Sequence, residues 1–299
     1  MNKCDVGVYI ITHNRLSTLI PALESVLRQT LKGFEVVVSD NSDNDETELA
    51  IKQYLDKYEN LKYIHHYNAN SSSAHIQKVI SDNTYELYML FHDDDEMLPD
   101  MVEQLYNAAI AHPSYSAVAS NAFFSEKGKR SLALENKDAI INNGEDFISR
   151  VSRYGNMAIA PFPSYMYRRS LVSDIMFDSE HKGGKYCDVS YLVDIANRSP
   201  IFYVGRPLMI YNIHDSQDSA SFDFLKHVQL TNYLLKVSGN KTLLSKFRIR
   251  HIYTNLVSGY KTEKLRYRPM AISLFIKRSA YIYVIKYLIR IIQSRLSYK

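Results

Sequence analysis

Four short runs of β-branched and aromatic residues recur along the first 110 positions, each followed by a stretch with helical spacing. Val6 to Ile11, Phe34 to Val38, Leu61 to His65 and Glu86 to Phe91 read as buried strands. After the first, Leu19, Leu23, Val26 and Leu27 fall on one face of a helix that Ser17 can cap and whose first turn tolerates Pro21. Helices are expected over 45–58 and 73–82, and Pro99 opens another with Leu98, Val102, Leu105 and Ala109 on one face. This alternation predicts an α/β chain with a mostly parallel sheet flanked by helices. Ligands of such sheets sit beyond the C-terminal strand ends. The residues there are Thr12-His13-Asn14-Arg15, Ser39-Asp40-Asn41-Ser42-Asp43 and His92-Asp93-Asp94-Asp95.

The rest is less regular. Tyr115 to Phe124, Ile201 to Val204 and Leu208 to Ile213 read as strands, and 144–153 and 188–196 as helices. From Phe222 onward the pattern is helical almost throughout. A length of 299 residues allows one large domain or two lobes. With 46% apolar and 23% charged residues, wholesale disorder and a polytopic membrane protein are excluded. Cys4 and Cys187 have no C-x-x-C spacing, so neither a disulfide scaffold nor structural zinc is expected, and a reducing cytoplasm fits. No targeting signal is read at the start, and no run reaches the ~18 apolar residues of a membrane span.

Charge is divided unevenly. From Phe224 onward 16 Lys/Arg face one acid, Glu263, a net +15. With +4 overall, the first 223 residues carry −11. Such a tail is expected to meet something anionic. Over 269–299 Lys286 and Arg290 share one helical face, while Tyr281, Val284, Leu288, Ile291 and Ile292 share another. That pattern suits an anionic membrane surface. The alternative is a helix packed on the protein's own core with a basic outer face. No zinc-finger or RNP-like motif accompanies it, so nucleic acid is not an expected partner.

Three adjacent carboxylates, Asp93, Asp94 and Asp95, repel one another after a buried strand unless something compensates. A hard divalent cation, Mg²⁺ or Mn²⁺, would do so and would also bind substrate phosphates. A solvated acidic turn ahead of a helix is the alternative. Asp40 can accept bonds from a base or ribose, or can simply close an Asx-rich turn. Thr12, Asn14 and Arg15 can bond a base or phosphate. Neither G-x-G-x-x-G nor a P-loop motif occurs, which argues against a dehydrogenase or P-loop enzyme.

The ordered series Val8 to Arg15, Val36 to Ser42 and Leu90 to Pro99 resembles glycosyltransferase family two, whose members are inverting enzymes of the Rossmann-like GT-A fold. The ordered match covers about the first 110 residues, with weaker echoes to about 220. The resemblance implies a GT-A domain over 1–220, with a nucleotide-sugar-binding half over 1–110 and an acceptor half over 111–220. A helical basic extension over 221–299 would follow. It implies donor binding by Thr12, Asn14, Arg15, Asp40, Asp93 and His214, and Mn²⁺ or Mg²⁺ held by Asp94 and Asp95. His92 replaces the usual first acid of the D-x-D region. The loop over 70–78 lacks an arginine often found there, leaving His75 or Lys78 to stand in. His65-His66 reads as solvated surface.

An inverting transfer needs a carboxylate to take the acceptor proton. Asp188 matches the family's acid at a helix start, with Cys187 where Glu is common; Asp188 could instead cap that helix. His214, in Leu208 to Ser219, could ligate metal or phosphate, or only bond backbone. The activity implied is transfer from a nucleoside-diphosphate sugar, a UDP-sugar being the favoured class, to a glycan or polyprenyl-linked acceptor. Its setting would be bacterial surface polysaccharide synthesis on the inner face of the cytoplasmic membrane. The rivals are a non-catalytic sugar-nucleotide-binding scaffold of the same fold and a nucleotidyltransferase. The latter would carry a Gly-rich basic loop that Thr12 to Arg15 is not.

Overall fold

A computed structural model of the chain describes residues 4–67, 71–152, 159–214 and 223–243. The first half runs β1 (Val6–Thr12), α1 (Leu16–Leu27), β2 (Glu35–Asp40), α2 (Glu46–Leu55), β3 (Leu61–His65), α3 (Ser72–Asp82), β4 (Leu87–His92), β5 (Glu96–Met97) and α4 (Met101–Ala111). The second runs β6 (Ala117–Glu126), β7 (Lys129–Leu132), β8 (Ala139–Ile141), α5 (Gly144–Val151), β9 (Tyr165–Arg168), α6 (Arg169–Val172), α7 (Cys187–Arg198), β10 (Ile201–Ile213) and α8 (Phe224–Ser238). The result is the α/β class that the alternation predicts.

One sheet organises these elements, in the order β3-β2-β1-β4-β9-β6-β10-β5. β1, β2, β3 and β4 pair in parallel, as do β6 and β10. β9 is antiparallel to both β4 and β6 and joins the two parallel groups. Period-two alternation sorts the strand residues between two layers. Val8, Ile10, Val36, Val38, Met89 and Phe91 pack with Leu19, Leu23, Met101 and Leu105 on one face. Tyr9, Val37, Tyr88 and Leu90 pack with Val79, Phe147, Tyr191 and Leu192 on the other.

Local chemistry differs from expectation at three points. The first helix begins at Leu16, and Arg15 rather than Ser17 occupies the cap position, without a side-chain cap bond. Asn14 makes the preceding turn with φ 52°, a left-handed conformation that Asn tolerates better than most residues. The two strands expected over 201–213 form one strand. Its register shifts on either side of Pro207, which lacks the N–H a regular ladder needs. The strand β9, only four residues long, is not visible in the local pattern.

α8 begins where Asp223 accepts the Lys226 N–H and ends at Gly239, left-handed at φ 67°. Leu230 and Leu234 are buried in the layer that holds Tyr191 and Leu192. This helix, beyond the expected boundary at 220, therefore packs on the sheet domain. Gly184, at φ 59°, lies so close beneath it that a Cβ there would stand 2.5 Å from Lys226 Cδ. The expected amphipathic helix over 269–299, and residues 215–222 after His214, lie outside the described residues.

The segment after the acid triplet is held by α1. Gln29 is fully buried; its Nε2 donates to the Leu98 carbonyl at 2.8 Å and its Oε1 accepts the Val102 N–H at 2.9 Å. Ser25 Oγ accepts the Met97 N–H at 3.0 Å. Gln29→Leu leaves the buried Val102 N–H without its acceptor, while the Leu98 carbonyl keeps the Met101 N–H, and is expected to lower unfolding stability by about 1–3 kcal/mol. Urea denaturation measures this; a loss below about 0.5 kcal/mol would show that water replaces the amide.

Candidate active site

Sheet register brings the three strand-end segments to one level. Thr12 pairs with Asp40, Asp40 with His65, and Ile11 with His92. Thr12, buried, donates from Oγ1 to Asp93 Oδ2 at 2.7 Å. Arg15 Nε stands 3.5 Å from Asp93 Oδ1, and its Nη1 donates to Asp94 Oδ2 at 2.7 Å. β10 returns to the same place. His214 Nε2 lies 3.0 Å from Asp94 Oδ2. Asn212 donates from its side chain to the Asp94 carbonyl at 2.8 Å and from its backbone to Asp95 Oδ1 at 2.9 Å. The other oxygen, Asp95 Oδ2, is buried without a hydrogen-bond partner among the described residues, 3.9 Å from His92 Nδ1.

Burial pushes the Asp93 carboxyl up to about 6, against the pull of Arg15 and the Thr12 bond. Burial, then the charge of Asp94, pushes Asp95 well above the carboxylate range. Burial also opposes ionisation of Asp94, but His92, Arg15 and the His214 bond outweigh it and hold this carboxyl below its ordinary value. Burial disfavours the charged form of His92 as well, so Arg15 and His214 are the partners that count for Asp94 at neutral pH. The loop thus holds more acid than its own cations neutralise. His92, Asp94 and Asp95 each offer a donor atom, and these lie within 4.8 Å of one another. With a buried, unpartnered carboxylate oxygen among them, this donor set fits a divalent cation.

The donor-side loops are laced together. Asn14 donates its backbone N–H to Ser42 Oγ at 2.7 Å and its side-chain amide to Asp43 Oδ2 at 2.9 Å. Asp40 is fully buried. Its Oδ1 accepts the Ser42 N–H at 2.8 Å, and its Oδ2 accepts the Tyr63 hydroxyl at 2.9 Å. In this conformation Asp40 closes the turn, and the Asn14 side chain on the facing loop is exposed. His65 is not solvated surface: its Nε2 lies 2.9 Å from the Ser42 carbonyl, and its ring stacks on Tyr67 at 3.9 Å between centroids. His75 is fully buried against Ser39 Oγ at 2.8 Å, and burial drives its pKa down to about 4. It is neutral and cannot stand in for an arginine. Lys78 pairs with Asp82 on the exposed face of α3.

Asp188 lies in the first turn of α7, half-buried. Burial pushes its carboxyl up to about 6, partly offset by bonds from the Val189 and Asp188 N–H groups. Its charge is felt by the buried hydroxyls of Tyr165 and Tyr167 on β9. Tyr165 starts β9, toward the C-terminal end of β4 and opposite Ala119 near the start of β6. Phe162, on the turn before β9, spans the two halves, with ring centroids 5.9 Å from His92 and 6.4 Å from Tyr191 of α7. Burial pushes the neighbouring Cys187 thiol far up, which excludes it as a nucleophile at neutral pH. Asn212, Tyr63 and Phe162 were not singled out by sequence. Only Asn212 carried a signal, through its place two residues before His214.

Residues 7–176 match the model of Glycosyl transferase family 2. A GalNAc(5)-diNAcBac-PP-undecaprenol beta-1,3-glucosyltransferase from Campylobacter jejuni subsp. jejuni is 24% identical over 294 residues, covering 92% of this chain and 90% of the relative. Among solved structures, Staphylococcus aureus TarS 1-349 in complex with UDP-GlcNAc aligns with a TM-score of 0.65 and 18% identity, covering 90% of this chain and 79% of that one. The mannosyltransferase PcManGT of Pyrobaculum calidifontis, in complex with GDP-Man and Mn²⁺, aligns with a TM-score of 0.57 and 14% identity, covering 99% and 88%. At these identities the structural likeness shows the fold, a GT-A-like α/β architecture.

Proposed function

The chain belongs to glycosyl transferase family 2, and on that footing we propose that it moves one hexose from a UDP-sugar to a glycan or polyprenyl-linked glycan, inverting the anomeric carbon. The observation that carries this reading is the acid loop. Strand-end groups from β1, β4 and β10 converge on Asp93-Asp94-Asp95, where two buried carboxylate oxygens, Asp93 Oδ1 and Asp95 Oδ2, lack a hydrogen-bond partner among the described residues. Asp94 and Asp95 would hold Mn²⁺ or Mg²⁺, as in a D-x-D site. When bound, that cation neutralises charge developing on the departing nucleoside diphosphate. Thr12 orients Asp93; Asn14, Arg15 and His214 stand at the rim, where a diphosphate or ribose would meet them, and Asp40 shapes the floor of the base pocket. Asp188 takes the acceptor hydroxyl proton as the oxygen attacks, so no covalent enzyme intermediate forms.

The lipid-linked substrate named for the Campylobacter relative supports an acceptor at a membrane. Surface polysaccharide synthesis, O-antigen or capsule, on the inner face of the cytoplasmic membrane fits it, with the basic region beyond α8 facing anionic lipid. No helix among the described residues is long and apolar enough to cross a membrane.

The test is an incubation of the full chain with UDP-sugars, Mn²⁺ and short polyprenyl-diphosphate glycans, reading nucleotide release and the anomeric coupling of the product. UDP release with a β-linked product from an α-linked donor is expected. Retained configuration would remove Asp188 from its role. Nucleotide binding without turnover across the whole panel would favour the scaffold, and pyrophosphate release a nucleotidyltransferase.

A further inference from the structure

Resting on the donor-site reading above, we propose that His92 is itself a ligand of the divalent cation, giving the acid loop a nitrogen donor and a preference for Mn²⁺ over Mg²⁺. His92 ends β4, and its backbone is fixed in the sheet opposite Ile11. Its ring leans on Phe162, with centroids 5.9 Å apart and planes inclined by 32°. This places Nδ1 3.9 Å from Asp95 Oδ2. That separation is too long for a hydrogen bond, so the oxygen, fully buried, gains no internal partner from the ring. Two donors each about 2.2 Å from one ion stand roughly 3.1–4.4 Å apart, depending on the angle between them. The observed distance falls inside that window, and an Asp94 oxygen completes the group.

The chemistry of the donor set then bears on which ion is taken. Mg²⁺ demands oxygen ligands in near-ideal octahedral geometry and keeps its waters. An imidazole nitrogen suits metals further along the first transition row, and Mn²⁺ accepts it more readily than Mg²⁺ does. Asn212 and His214, which reach the same loop from β10, are already directed to Asp94 and to Asp95 Oδ1. His92 is the group facing the oxygen they leave uncovered.

The test uses the full chain with Mn²⁺ and UDP. Pulsed electron paramagnetic resonance should show modulation from a coordinated imidazole nitrogen. The modulation should shift on ¹⁵N-histidine labelling and vanish in His92→Asp and His92→Gln. The second variant adds no charge, which guards against misfolding caused by a fourth carboxylate. Calorimetry should show Mn²⁺ affinity falling at least about tenfold in His92→Gln, the scale that even outer-shell partners of a metal reach, with Mg²⁺ affinity changing less. A nitrogen signal that survives both substitutions and disappears in His214→Gln overturns the inference, as does an equal loss for both ions. Either result leaves the donor site standing. If folded wild type binds no Mn²⁺ even with UDP, this inference falls together with the metal part of the proposed function.

Discussion

Asp188→Asn is expected to lower sugar transfer by about 10²–10⁴-fold while leaving UDP affinity unchanged. The amide keeps the shape and the first-turn position but cannot accept a proton. The pH profile carries the same information. Burial raises the Asp188 pKa to about 6, so the carboxyl is protonated and inactive below that pH and ionised above it. Wild-type turnover should therefore climb through about pH 6 and level off at higher pH. Asp93 titrates in the same range in the metal-free protein, for the same reason of burial. A bound cation would move Asp93 down and leave Asp188 as the group behind the limb. Steady-state rates from pH 5 to 8 with saturating Mn²⁺, in wild type and variant, check this. If Asp188 only faces its own helix N-terminus, Asn would leave the rate within a few-fold. Because burial makes the ionised carboxyl a net cost to the fold, stability at neutral pH would then stay level or rise.

Asp94→Ala should abolish metal-dependent nucleotide binding. Asp94 is the one acid of the triplet whose carboxyl is held below its ordinary value, with Arg15 at 2.7 Å and His214 at 3.0 Å both meeting its Oδ2. On the proposed reading, removing it deletes a cation ligand as well as the common partner of Arg15 and His214. Titration calorimetry should show UDP affinity in Mn²⁺ weakened by 100-fold or more, beyond the 10–100-fold typical of outer-shell changes. In EDTA the two proteins should bind UDP alike. An unchanged Mn²⁺ dependence in the folded variant would move the metal away from this loop.

The legible parts of the site share a property. Thr12, Arg15, Asp40 and the acid triplet each follow a strand whose alternation is visible over five or six residues, and parallel pairing puts such ends side by side. The illegible parts depend on partners far away in the chain. Asp40 reads in its motif as an acid for a base or ribose, or as part of an Asx-rich turn, and Tyr63, 23 residues on, takes its Oδ2. His75 looks like a spare cation, yet it is buried against Ser39, 36 residues earlier. Burial decides charge, and burial is not a local quantity.

Hydrophobic periodicity by itself determined the α/β class, the four parallel strands β1 to β4 and the strand ends where a ligand would sit, because period two and period 3.6 are written into consecutive residues. Tertiary structure alone decided that β9 enters antiparallel between β4 and β6, and that α8 packs on the domain beside Gly184. It also brought Asn212 back over an acid loop 117 residues away. Those outcomes rest on pairing register and packing between distant segments, whose free energies are settled only when the whole sheet has formed.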